Sequence, residues 1–272
     1  MSERYKEPLI TASLGVANQV REALVEKVME RVSKRGWEAL PGAMDFMLKE
    51  LNIEIVYSDE EEDGFAESRA KLRTEPGIII ANHPGYFDVV SVVKAAYRPD
   101  LKIWAGDRGF EIGKKYFGED HFLETTKDSA TNLAQLRTIE EHIRAGGAFM
   151  FFPTGGNDMI AQGGGLHFQQ GLAVMFRKML RPTDMVYNFY IEPDDIASIM
   201  GQKANRLVAA RSGLALGELA NLNRLKERKG IRVSEQYSQA GEWQRALEGA
   251  QAEDRNEVLT KHFLRKFNSM GE

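Results

Sequence analysis

One histidine in the chain has a carboxylate at a spacing suited to proton transfer. His83 and Asp88 stand five residues apart in Asn82-His83-Pro84-Gly85-Tyr86-Phe87-Asp88. If the histidine closes a strand and the aspartate opens the next helix, the carboxylate can hold one ring nitrogen and leave the other facing a cleft as a base. Asp88 would fix the tautomer and stabilise the imidazolium formed when a substrate hydroxyl gives up its proton. This is the logic of a serine hydrolase with the substrate in place of the serine. The alternative is a turn histidine whose aspartate merely caps a helix, and with five histidines the spacing arises readily by chance. His121, His142, His167 and His262 have no aspartate at that spacing and read as surface or packing residues.

Two other segments carry groups that suit an anion. In Phe151-Phe152-Pro153-Thr154-Gly155-Gly156-Asn157-Asp158, the paired glycines let backbone N–H groups approach a negative charge closely, and Thr154 adds a hydroxyl donor. A plain strand-to-loop turn is the alternative. In Ala105-Gly106-Asp107-Arg108 the guanidinium of Arg108 could meet a phosphate, against the alternative of a solvated arginine paired with Asp107. Arg177, Lys178 and Arg181 form a basic cluster suited either to an acidic carrier or to the negative end of their own helix, the second being the simpler account.

The elements that must position these groups follow from apolar periodicity. Val20, Leu24, Val28 and Val32 recur every fourth residue in a helical stretch from Thr11 to Leu51 that breaks at Leu40-Pro41-Gly42. Ile53 to Tyr57 reads as a strand and the acidic run Ser58 to Asp63 as a solvated loop. Strands are then expected at Gly77 to Ala81, Leu101 to Ala105, Ala148 to Phe152 and Met185 to Ile191. Helices are expected at Asp88 to Tyr97, Ala130 to Ala145 and Leu166 to Leu180. Beyond Pro193, Asn205 to Ala210 and Gly230 to Ser234 could be strands, and Glu242 to Met270 reads as two helices. The alternation predicts an α/β fold, a mostly parallel sheet flanked by helices, with a small N-terminal helical domain (1–52) preceding the α/β domain (53–272). His83, Arg108 and the Gly155-Gly156 pair then all follow strands, where such sheets collect their chemistry.

Composition excludes several alternatives. With 43% apolar and 28% charged residues and a net charge of −4, the chain is an ordinary globular protein rather than a disordered segment or a nucleic-acid binder. It has no cysteine, hence no disulfide, thiolate nucleophile or cysteine-ligated metal, and a cytoplasmic location is expected. The first thirty residues lack a signal-peptide pattern. No apolar run approaches the roughly 20 residues of a spanning helix, so a soluble protein is expected, with peripheral membrane contact left open.

Taken in order, Asn82-His83 to Asp88, Ala105 to Arg108 and Pro153-Thr154-Gly155-Gly156-Asn157-Asp158 resemble the glycerolipid acyltransferases with their NHx4D motif. Within them the chain looks most like the soluble plastid-type glycerol-3-phosphate acyltransferases, over roughly Gly77 to Pro193. The resemblance implies transfer of a fatty acyl group from acyl-carrier protein or acyl-CoA to glycerol-3-phosphate or a related small polyol, in phospholipid biosynthesis. His83 and Asp88 would be catalytic, Arg108, Lys127, Thr154, Gly155, Gly156 and Asn157 would bind substrate, and neither a metal nor a cofactor would be needed. The chain departs from the family where arginines follow the Gly-Gly pair, since Asn157 and Met159 stand there, and before the long helix only Lys127 offers a positive charge. Two alternatives therefore stay open: an acyltransferase for a non-phosphorylated acceptor, and a non-catalytic protein of the same fold that binds acyl lipid or carrier. A serine hydrolase is disfavoured by the lack of a Gly-x-Ser-x-Gly elbow.

Overall fold

The computed structural model describes residues 30, 40–50, 53–57, 63–83, 88–126, 128–153, 172–192 and 229–268. Helix α1 (Leu40–Glu50) leads into strand β1 (Ile53–Tyr57), helix α2 (Asp63–Thr74) and strand β2 (Gly77–Ala81). Helix α3 (Asp88–Ala96), strand β3 (Lys102–Gly106), helix α4 (Asp107–Phe117), strand β4 (Phe122–Thr125), helix α5 (Ser129–Arg144) and strand β5 (Ala148–Phe151) follow. Helix α6 (Leu172–Lys178), strand β6 (Met185–Ile191), strand β7 (Lys229–Gln239) and helices α7 (Ala240–Ala246) and α8 (Arg255–Asn268) complete the described elements.

The strands form one seven-stranded sheet in the order β1-β7-β6-β2-β5-β3-β4. Strands β2 to β6 run parallel to one another, whereas β7 is antiparallel to β6 and carries β1 beside it in its own direction. Central position explains the apolar runs. Gly77 to Ala81 lies between β5 and β6 and is buried at every residue, because helices cover both faces. The pleat sends Ile79 and Ala81 to one core, with Leu40, Met44 and Leu48 of α1, Leu72 of α2 and Val92 and Val93 of α3. Ile78 and Ile80 go to the other, with Ile139 and Ile143 of α5, Phe176 of α6, Trp243 of α7 and Phe263 of α8. Each isoleucine contributes about 2 kcal/mol by leaving water. Gly77 is required by proximity, since a Cβ there would lie 2.7 Å from the Met185 carbonyl oxygen.

Three expectations change. Residues 107–125, left without an element between the strand expected to Ala105 and the helix expected from Ala130, fold as α4, a short 3-10 turn at Glu119–His121 and β4, and Asp63–Thr74 is a helix where none was expected. The strand expected at Gly230 to Ser234 extends to Gln239 and runs antiparallel. The described part of the helical preface, α1, shares a core with α3. The strand expected at Asn205 to Ala210 lies outside the described residues.

Candidate active site

The central strand ends where its polar residues begin. Past Ala81, Asn82 stays buried, while His83 is partly exposed, with 26% of its side chain accessible. Asp88, the first residue of α3, is wholly buried. His83 Nδ1 donates to Asp88 Oδ2, and Asp88 Oδ1 accepts from the Val89 N–H at 2.6 Å. The two readings of Asp88 are therefore not exclusive: one oxygen serves the helix start and the other holds the imidazole. With Nδ1 bound to the carboxylate, Nε2 is the nitrogen that could act as a base.

Phe152, one residue beyond the end of β5, stacks on the imidazole with ring centroids 4.6 Å apart and an interplanar angle of 25°. The ring limits rotation of His83, and its π face favours a positive charge on the imidazole. Asn82 reaches across to β6, donating from Nδ2 to the Ile191 carbonyl at 2.8 Å and accepting the Ile191 N–H on Oδ1 at 2.7 Å. Sequence reasoning named Asn82 and Phe152 only as members of their segments. The signal for Asn82 was a polar residue closing a run of four buried apolar ones, but its partner 109 positions away is not visible in sequence.

The backbone of Arg108 lies in the first turn of α4, immediately after the carboxyl end of β3, which is separated from β2 by β5 alone. Its side chain, together with Lys127, Thr154, Gly155, Gly156 and Asn157, lies outside the described residues. The basic cluster is at the other end of the sheet. Arg177 and Lys178 end α6, and β6 then runs from Met185, beside Gly77, to Ile191, next to Asn82. A five-residue strand is about 16 Å long, so these cations sit roughly that far from the His83 end. Arg181 is occupied by Asp184, its Nε donating to Oδ1 at 2.9 Å. Among the described residues no group of three or more metal-ligating side chains is present, and no described helix is long and apolar enough to cross a membrane.

Elsewhere the histidines are set differently. His142 places Nε2 against the carbonyls of Asp100, at 2.9 Å, and Ala148, at 3.1 Å, and burial holds its pKa below the usual histidine value. His121 Nδ1 donates to the Leu101 carbonyl. His262 stands edge-on to Trp243, and burial lowers its pKa as well. His167 lies outside the described residues.

One comparison with known proteins falls on the same segment. A family model described as Acyltransferase matches residues 65–194. A search of curated proteins finds no match. Among solved structures, the 1-acyl-sn-glycerophosphate (LPA) acyltransferase PlsC from Thermotoga maritima aligns with a TM-score of 0.44 and 13% identity, covering 99% of this chain and 98% of that one. The stretch similar to the Acyltransferase family thus holds β2 to β6, His83 and Asp88.

Proposed function

We propose that this protein is an acyltransferase of glycerolipid synthesis. It moves a fatty acyl group from a thioester, acyl-carrier protein or acyl-CoA, to the hydroxyl of glycerol-3-phosphate or a related small acceptor. The observation that carries the reading is the His83–Asp88 hydrogen bond at the open end of the central strand, inside the segment similar to the Acyltransferase family. Nε2 of His83 takes the acceptor's hydroxyl proton as the oxygen attacks the thioester carbon. Asp88 keeps the proton on Nδ1 and stabilises the imidazolium, which the Phe152 ring also favours. The tetrahedral oxyanion then collapses, the C–S bond breaks, and the thiolate leaves with the proton returned from Nε2. The backbone N–H groups of Gly155 and Gly156 would stabilise that oxyanion or the acceptor. Asn157 and Thr154 offer neutral donors, so a phosphate on the acceptor would be met by Arg108 and Lys127.

A mass-spectrometric screen of purified protein with an acyl-thioester and a panel of alcohols, phosphorylated and not, tests the reading through the acylated product. Replacing Arg108 and Lys127 together by alanine should raise KM for a phosphorylated acceptor and leave an unphosphorylated one nearly unchanged, because the lost clamp served only the phosphate. Asn157→Arg should improve use of glycerol-3-phosphate by adding a fork of donors. Equal turnover of glycerol and glycerol-3-phosphate, unaffected by the double substitution, would remove the phosphate from the proposal. Absence of ester product with every acceptor would favour a binding protein instead.

A further inference from the structure

The ladder between β2 and β6 ends at Ala81, which is paired with Phe189. Had β2 continued, its peptide groups would have taken the polar groups of Ile191, a residue with no exposed surface. Unpaired, that N–H and carbonyl would each be costly in such a place. Instead the Asn82 side chain takes both, at 2.7 and 2.8 Å, and is itself 3% exposed. A primary amide offers one donor and one acceptor in a plane, as a peptide unit does. The next residue in the chain is His83, whose ring is bonded to Asp88 through Nδ1 and stacked on Phe152.

We propose that Asn82 is a positioning residue for His83. Its carboxamide replaces a peptide unit in the β2–β6 ladder, so the main chain leaves the sheet at His83 while β6 keeps its hydrogen bonds, and this departure sets the imidazole against Asp88. The inference rests on the reading of His83 as the base, but part of its test does not depend on transfer. Alanine could fill the site without clashing, but it can satisfy neither polar group of Ile191, and the end of β2 would lose its tie to β6. The imidazole would then sample positions away from Asp88, and displacement of a reacting group by about 1 Å can cost about 10²-fold in rate.

The test uses the full-length protein labelled with 15N histidine, with the His83 signals assigned by their loss in His83→Ala. Wild type should give a single Nδ1–H tautomer when neutral, whereas Asn82→Ala should give a mixture of tautomers. Its kcat should fall by about 10²-fold while KM for the thioester changes less than about threefold. Ser238→Ala serves as control. It removes the acceptor of the Trp243 Nε1 hydrogen bond, another buried one, near the far end of β6, and should leave both readouts as in wild type. If Asn82→Ala fails to fold, Asn82→Asp carries the same readouts, since it can still accept from the Ile191 N–H but, when ionised, cannot donate to its carbonyl. A single tautomer and a kcat matching the Ser238→Ala control in the asparagine variant would overturn the proposal. Wild-type protein inactive with every acceptor would instead overturn the acyl-transfer reading, leaving the tautomer spectra to decide the role of Asn82.

Discussion

At the amino end of the parallel strands, Arg98 and His142 aim their nitrogens at main-chain carbonyls, whereas at the carboxyl end His83 aims one nitrogen at a carboxylate and keeps part of its ring exposed. Arg98 is 4% exposed and donates to the carbonyls of Leu72, Glu75 and Gly146 while pairing with Asp100. It fastens the end of α2 and the turn after α5 to the start of β3. Burial works against an ionised Asp100, but the Arg98 guanidinium outweighs it and holds that carboxyl below its usual range. Arg98 thus spends its donors on three carbonyls and one carboxylate, and His142 places Nε2 against two carbonyls, so both side chains tie main-chain segments together. At the carboxyl end Asn82 fastens the strand, and in the proposed reading the neighbouring His83 exchanges a proton.

That contrast can be broken most severely at the open end. His83→Ala should lower kcat/KM for acyl transfer by about 10²- to 10⁴-fold with the far-ultraviolet circular dichroism unchanged, since the residue is at the mouth of the sheet. Asp88→Asn should lose about 10²-fold or more, because an amide can hold the wrong tautomer and cannot stabilise the imidazolium. Wild-type rates in the asparagine variant would reduce Asp88 to a helix cap. At the amino end the opposite pattern is expected. Arg98→Ala should cost about 4 kcal/mol in urea unfolding by leaving buried carbonyls without a donor, while kcat of the folded fraction stays within about twofold of wild type.

A third buried group sharpens the comparison. Glu235, in the row of β7 paired with Phe189, accepts from the Ser68 hydroxyl at 2.7 Å, and its other oxygen has no partner among the described residues. Burial raises its pKa to about 7, against opposing contributions from Ser68, Arg69 and Arg73. The folded protein therefore keeps this proton where the unfolded chain has lost it. The stabilisation is full below about pH 4.5 and is lost as pH rises through about 7. Relative to Glu235→Gln, wild type should lose about 3 kcal/mol of stability between about pH 4 and pH 8, read from urea midpoints; parallel curves would contradict it. Asp88, equally buried, has a donor on each oxygen. The smallest effect belongs to the amino-end cations. Replacing Arg177 and Lys178 together by alanine should change KM for acyl-carrier protein by less than about twofold, and a larger rise would mean that the carrier reaches that end.

The parts of this architecture that could be read in the sequence are those where burial on both faces leaves a continuous apolar run, as in Gly77 to Ala81 and Ala148 to Phe151. Helix α4 was hidden because Gly109 and Gly113 look like loop residues. Gly113 is there for contact, since a Cβ would lie 2.5 Å from the Phe122 ring. Helix α2 places Leu72 in the core but carries a largely charged surface, too weak a stripe to recognise. The length of β7 was masked by Glu235, Gln236 and Ser238, although Ile231, Val233, Glu235 and Tyr237 alternate as a strand should. At the site, His83 and Asp88 are close in sequence and their pairing could be anticipated. The Asn82–Ile191 fork and the Phe152 stack depend on how distant strands are placed, and spacing alone does not record that.

The central claim is that the substrate's own hydroxyl, activated by His83, attacks the thioester. It is tested most directly by single-turnover acyl transfer, with intact-protein mass spectrometry run beside product analysis. The account predicts that the acyl group passes to the acceptor as an ester with no acyl adduct on the protein at any time, and that His83→Ala slows this step by at least about 10²-fold. An acyl-protein intermediate that forms and decays at the rate of turnover, or transfer undiminished in His83→Ala, would contradict it.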